Sequence, residues 1–220
     1  MPIDDNHRSR DAVLARVRAA LGRSGAGEEA HAAAQAYIAQ HRQGPRPQLP
    51  ADLVQRFLER AIDMESTAER VASADAVPAA VARSLGATAP QTGVCWPELA
   101  TLDWAAAGVS VESRPTVGHD ALGITGCSCA IAETGTLVFV TGTHAPSATF
   151  LLPETHVAVV RADQIVAGME EAFARIRAEC GLLPRAVNLV SGPSRTGDIE
   201  QTIVLGAHGP RRLHVVLVDR

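Results

Sequence analysis

The chain has 220 residues, 46% hydrophobic and 20% charged, with a formal net charge of −4. That balance suits a folded domain with a sizeable core and excludes a disordered chain. The negative charge, with no local basic patch, excludes general attraction to a nucleic-acid backbone. All 20 basic side chains are Arg, so Schiff-base lysines and a Walker A phosphate loop are excluded. An anionic ligand must then be held by Arg, His or backbone N–H groups.

Met1 to Arg10 is charged and polar, without the apolar stretch of a secretory signal. No apolar run reaches transmembrane length. Cys95, Cys127, Cys129 and Cys180 form no disulfide framework, which fits a reducing, cytoplasmic setting. Ser9 to Leu21 is expected to be a helix capped by Ser9, with Val13, Leu14, Val17 and Leu21 at helical spacing. Gly22 to Gly27 reads as a linker and Glu28 to Gln43 as a second helix. Gly44, Pro45, Pro47 and Pro50 end it. Residues 1–50 thus read as a helical arm and linker, and 51–220 as the main α/β domain.

From Asp52 a third helix places Leu53, Val54, Phe57, Leu58 and Ala61 on one face. A strand near Glu69 to Ala72 and a helix from Val77 to Leu85, stopped by Gly86, should follow. Short apolar runs lie at Val94 to Trp96 and Val109 to Val111. Further strands are expected at Leu122 to Thr125, Ser128 to Glu133, Leu137 to Thr141 and His156 to Val160. The pattern from Ala162 to Cys180 predicts one amphipathic helix with Ile165, Met169, Phe173 and Ile176 inward. Val187 to Val190 and Leu213 to Val218 read as strands buried on both sides, with a short helix near Ile199 to Leu205 between them. Strands alternating with helices imply a mainly parallel sheet covered on both faces.

Two polar segments interrupt this pattern: GITGCSCAIAETGTLVF from Gly123 to Phe139, and NLVSGPSRTGDIEQTIVLGAHGP from Asn188 to Pro210. In the second, a strand runs into the loop Ser191 to Gly197 and then a helix, with Thr196 or Asp198 as N-cap. Ligands of open α/β sheets bind beyond the carboxyl ends of strands, and a helix start offers free N–H groups. Ser191, Gly192, Ser194, Arg195 and Thr196 therefore suit a carboxylate or phosphate. The alternative is a plain cap and turn, with Arg195 paired to Asp198 or Glu200. Glu133 ends an apolar strand, followed by Thr134, Gly135 and Thr136. It is either a general base, a salt-bridge partner of Arg195, or a turn residue. His208 in the His-Gly-Pro loop is a candidate base for a 2-hydroxy acid, or a surface turn residue. Cys127 and Cys129 form a C-x-C, which falls short of a metal site and reads as small buried hydrophobes. No G-x-G-x-x-G fingerprint, G-x-S-x-G elbow, flavin or haem signature occurs.

The A-E-T-G-T run and the S-G-P-S-R-T-x-D-I-E run with its later His-Gly-Pro resemble signature stretches of the lactate-utilisation protein C family (LutC/YkgG, the LUD domain). The likeness spans roughly the last hundred residues. It implies a Rossmann-like α/β sandwich of the NagB/RpiA/CoA-transferase-like type. It also implies a part in oxidising L-lactate to pyruvate beside two partner proteins, at least one of them carrying iron–sulfur clusters. This chain is then an accessory or substrate-handling subunit with no cofactor of its own. A second expectation is a stand-alone enzyme on a small anion, CoA-transferase- or isomerase-like, with Glu133 as base or nucleophile. A third is a regulatory or assembly module that docks through its arm, an arm that also suits a homodimer by exchange.

Overall fold

A computed structural model describes residues 3–22, 27–86, 91–142, 145–181, 184–197 and 204–219. The chain divides into two units, Met1–Pro47 and Gln48–Arg220. The first holds two helices, α1 (Ile3–Ala20) and α2 (Glu28–Ala39). Helix α1 starts well before Ser9, so Ser9 lies inside it and does not cap it.

The second unit opens with α3 (Leu53–Asp63), whose N-cap Asp52 accepts a hydrogen bond from the Gln55 amide at 2.9 Å. Then come β1 (Thr67–Val71) and α4 (Val77–Leu85), the latter ended by Gly86 at φ 67°. Strands β2 (Thr92–Cys95) and β3 (Ser110–Glu112) are joined by short 3-10 turns. They lead to β4 (Leu122–Thr125), β5 (Cys129–Ile131) and β6 (Thr136–Val140). The short α5 (Ala148–Leu151) precedes β7 (Thr155–Arg161), β8 (Ile165–Val166) and α6 (Met169–Cys180). The chain finishes with β9 (Val187–Val190), β10 (Arg195–Thr196), β11 (Val204–Leu205) and β12 (Arg212–Val218).

Six of these strands form one parallel sheet in the order β1-β12-β7-β4-β2-β3. Side chains alternate between its two faces. On one face, Ile124, Val157 and Val216 pack under Val77, Ala80 and Val81 of α4. On the other, Ala158, Val215 and Leu217 meet Phe57 and Ala61 of α3 together with Leu137 and Phe139 of β6. The expected parallel sheet with helices on both faces is present. What the sequence did not announce is a second layer, the mixed sheet β8-β5-β6-β9, beside α3. Its far side is covered by Ala172 and Ile176 of α6. The two sheets are joined by an aromatic cluster. Phe139 stacks on Phe150 with centroids 4.3 Å apart, and Trp96 meets both edge-on at 6.1 and 6.3 Å.

Three elements differ from expectation. The helix expected from Ala162 to Cys180 is a 3-10 turn, the strand β8 and then α6, which starts only at Met169. Ile165 and Val166 pair in parallel with Ala130 and Ile131 of β5, so a sheet edge claims them before a helix can. Gly168 separates the two, and Met169 is exposed. Strand β9 is not buried on both sides. It is an edge strand paired only with β6, and Leu189 is exposed. The helix expected at Ile199 to Leu205 lies largely outside the described residues, but Val204 and Leu205 are a strand paired with Thr196 and Arg195. Thr196 is therefore not a helix cap.

Cys127 and Cys129 are both buried, and desolvation pushes both thiols up, Cys129 to about 11. Among the described residues no group of three or more His, Cys, Asp or Glu side chains gathers as metal ligands, and no helix is long and apolar enough to cross a membrane.

His156 on β7 is fully buried, and desolvation lowers its pKa to about 3. His214 on β12 is lowered for the same reason. The unfolded chain, with a histidine pKa of about 6.5, binds more protons than the folded one between roughly pH 3 and 6.5. Stability is therefore full above that window and falls as pH drops through it. The Asp120 carboxylate, held low by its hydrogen bond to Arg114, adds a further loss only as pH falls through the ordinary carboxylate range. Denaturant titrations at pH 7.5 and pH 5 should differ by about 2 kcal/mol from His156 alone. A His156→Gln variant should lose correspondingly less between those pH values.

Candidate functional site

Strands β6 and β9 pair antiparallel, with Leu137 opposite Val190. That register sets Thr136 beside Ser191 one step further on, and their hydroxyls meet at 2.7 Å. The Thr136 hydroxyl also meets that of Thr134 at 2.6 Å. A chain of three hydroxyls thus ties the A-E-T-G-T turn to the start of the S-G-P-S-R-T loop.

Both loops abut the carboxyl end of α3, and a glycine allows each approach. Gly135 has φ 69°, and a Cβ there would lie 2.5 Å from the Ala61 nitrogen. Gly192 has φ 79°, and a Cβ there would collide with the carbonyl oxygen of Met64. The helix ends in a Schellman turn. Ser66 donates to the Ala61 carbonyl at 3.0 Å and Glu65 to that of Ile62 at 2.8 Å. Glu65 occupies the left-handed position at φ 66°, where glycine is usual. Arg195 closes this end. Its Nη2 donates to the Met64 carbonyl at 2.9 Å and its Nη1 lies 3.2 Å from the Glu65 carboxylate. A cation is favourable there because carbonyls gather at a helix carboxyl end. Arg195 therefore bonds to α3 and not to Glu133. Asp198 and Glu200, its other expected partners, lie outside the described residues.

The His-Gly-Pro loop folds onto the same segment. The Ser194 amide donates to the Pro210 carbonyl at 2.8 Å, and the Gly206 amide donates to the Ser194 carbonyl at 2.9 Å. Between the two loops lies a cavity of about 220 Å³. Its polar wall is Ser191, Ser194, His208 and His156, and its apolar wall includes Phe150, Leu189 and Leu213. An apolar hollow with a few convergent polar groups is the usual anatomy of a small-molecule site. His156 contributes a ring whose Nε2 lies 2.9 Å from the Thr125 hydroxyl and whose Nδ1 has no partner. Phe139 and Phe150 flank the ring at 5.7 and 6.0 Å.

The structure thus brings Thr134, Thr136, Ser191, Gly192, Ser194 and His208 into one neighbourhood. Glu133 lies in the β5–β6 turn, half-buried, its amide donating to the Ala167 carbonyl at 3.0 Å, and it is not part of the cavity wall. His156 in the cavity wall was missed, because a histidine inside an apolar strand reads as core. The loop's position also differs from expectation. Strand β9 belongs to the mixed sheet, and the cavity residues His156 and Leu213 stand at the amino ends of β7 and β12. The carboxyl ends of the parallel strands hold a separate crevice of about 210 Å³ beside Glu98, Gly126, Arg161 and Gln164.

Gly192→Ala should destabilise the chain by more than about 2 kcal/mol, since it adds left-handed strain to a collision with Met64. Gly197→Ala, in the same loop with nothing within 4 Å of its Cβ position, should change stability by less than about 0.5 kcal/mol. Paired denaturant titrations measure both.

The LUD domain model matches residues 97–218, which include both loops and the whole cavity wall. Lactate utilization protein C of Deinococcus radiodurans is 34% identical over 181 residues, covering 79% of this chain and 83% of that protein. Lactate utilization protein C of Bacillus licheniformis is 35% identical over 132 residues, 57% of this chain and 54% of that one. A solved structure of a DUF162 family protein from Deinococcus radiodurans is similar at a TM-score of 0.57 and 27% identity, over 78% of this chain and 99% of the other. With more than half its length matched to the domain, and a relative aligned along most of both chains, this chain belongs to the LUD domain family.

Proposed function

We propose that the chain serves lactate utilisation and that the cavity between the two loops binds a small 2-hydroxy or 2-oxo carboxylate. The relatives named lactate utilization protein C support the first half of this reading. The observation that carries the second is the convergence of Ser191, Ser194 and His208 on one small, largely apolar cavity. Hydroxyls and an imidazole N–H donate hydrogen bonds to a carboxylate, and Ser191 and His208 are exposed, so the charge stays close to solvent. Arg211 and Arg212 follow Pro210 directly, are exposed, and add positive charge at this end of the sheet. Arg195 shapes the loop by holding it against α3 and so positions Ser191 and Ser194.

In this reading the chain handles substrate, and the two electrons of lactate oxidation pass to partner proteins bearing iron–sulfur clusters, as the family resemblance implies. The residues here bind and orient the acid.

Titration of the purified chain with L-lactate by calorimetry should show binding that Ser191→Ala combined with Ser194→Ala weakens roughly tenfold or more, at about 1 kcal/mol per lost hydrogen bond. Undiminished lactate binding in the double variant would remove the cavity from consideration. Affinity purification from lactate-grown cells of the native host should recover partners with the visible absorbance of iron–sulfur clusters. Recovery of a colourless chain alone would argue for an independent enzyme.

A further inference from the structure

Strands β2 and β4 lie side by side in the parallel sheet. After β2 the chain turns to the face covered by α4, where Leu99 and Trp104 pack. After β4 it turns to the other face, where Cys127 and Ala130 pack. Neighbouring strands whose continuations part in this way leave a crevice at their carboxyl ends, the place where open α/β sheets bind ligands. Here the crevice measures about 210 Å³. It lies at the opposite end of β7 and β12 from the cavity of Ser191 and His208.

Val77, Leu99, Leu102, Val159 and Val218 give the crevice an apolar surface, and Glu98 and Arg161 are its charged groups. Gly126 makes room for the acid, since a Cβ there would collide with the Glu98 Oε1. Among the described residues the Glu98 carboxylate has neither a hydrogen bond nor an ion pair. The buried Gln164 fixes the walls. Its Nε2 donates to the Cys127 carbonyl at 2.7 Å, and its Oε1 accepts from the Arg161 amide at 2.9 Å. The turn after β4 is thereby tied to the turn after β7. The Arg161 guanidinium meets Asp163 at 3.0 and 3.4 Å, in an exposed pair of the kind that is worth little in water.

We propose that this crevice binds a ribonucleoside moiety, its base on the apolar surface and its two ribose hydroxyls donating to Glu98. An ionised carboxylate only accepts and offers two oxygens, which suits a vicinal diol. An acid beyond a strand's carboxyl end takes a ribose hydroxyl in the same way in dinucleotide-binding sheets. The loop between β1 and α4, Ala72 to Ala76, has no glycine, so its backbone is not built to close on a pyrophosphate, and a single nucleoside suits the crevice better than a dinucleotide. An organic cation suits Glu98 less well. Among the described residues no aromatic side chain lines the crevice, and Arg161 shares it. Arg161 suits a 5′-phosphate, so a free nucleoside and a nucleoside monophosphate present the same chemistry to Glu98. The proposal is independent of the hydroxy-carboxylate reading of the other cavity.

Calorimetry on the full chain compares adenosine, 2′,3′-dideoxyadenosine and AMP. Adenosine should bind roughly tenfold tighter than the dideoxy compound, because hydrogen bonds to a charged group are the stronger kind. Glu98→Ala should remove that preference and leave the affinity for the dideoxy compound unchanged. Gly126→Ala, whose Cβ meets only the far end of the Glu98 side chain, should fold as wild type does and lose the same preference. AMP bound tighter than adenosine, with Arg161→Gln removing the gain, identifies a nucleotide. AMP bound no tighter identifies the free nucleoside. Excess L-lactate should displace neither, and displacement would overturn the placement in this crevice. A chain that does not bind adenosine, that binds both adenosines alike, or that keeps its preference in Glu98→Ala overturns the proposal and leaves the lactate reading untouched.

Discussion

The structure depends on the burial of a small mixed sheet against one face of the large parallel one. Phe139 from β6 stacks on Phe150, and Trp96 meets both. The parallel strands alone place Leu217, Val215 and Ala158 on that face, apolar surface that must be covered. Helix α3 covers part of it, and the mixed sheet covers the rest. Once β6 is pinned there, its pairing with β9 fixes where Ser191 emerges, and the turn before β6 fixes Thr134 and Gly135. The cavity is therefore a seam between two sheets, unlike a crevice at the rim of one.

The sequence was most legible where one signal decided the outcome. Helix α4 has Pro78 in its first turn and Gly86 in a left-handed conformation at its end, and it forms over the expected span. Strand β12 is buried from Leu213 to Val218, with His214 the one polar side chain in that stretch, and it forms where the apolar run predicts. Legibility failed where a tertiary partner outbid local pattern. Ile165 has helical spacing with Met169, Phe173 and Ile176, yet β5 offers an open parallel edge and Ile165 takes it. Val187 to Val190 has the composition of a buried strand and became an edge, since only β6 lies beside it.

The site divides along the same line. The polar runs around Glu133 and Ser191 stand out because polar residues after apolar strands need a reason, and the structure ties them by hydroxyl contact. The role of Arg195 was not legible, since its partners Met64 and Glu65 lie far away in sequence. His156 was hidden by its apolar neighbours Val157, Ala158 and Val159. Its place in the cavity wall sets it apart from His214, the other buried histidine with an unpartnered ring nitrogen.

The end of α3 carries a consequence for motion. Glu65 sits in a backbone conformation that costs a non-glycine residue roughly 1–2 kcal/mol, and Arg195 holds both its carboxylate and the neighbouring Met64 carbonyl. Gly192 rests against that same Met64 carbonyl. The last turn of the helix and the loop from Ser191 to Arg195 are thus latched together, and neither opens without releasing the other. They form one cooperative unit of local unfolding. Fraying of the helix end therefore loosens the loop that carries Ser191 and Ser194.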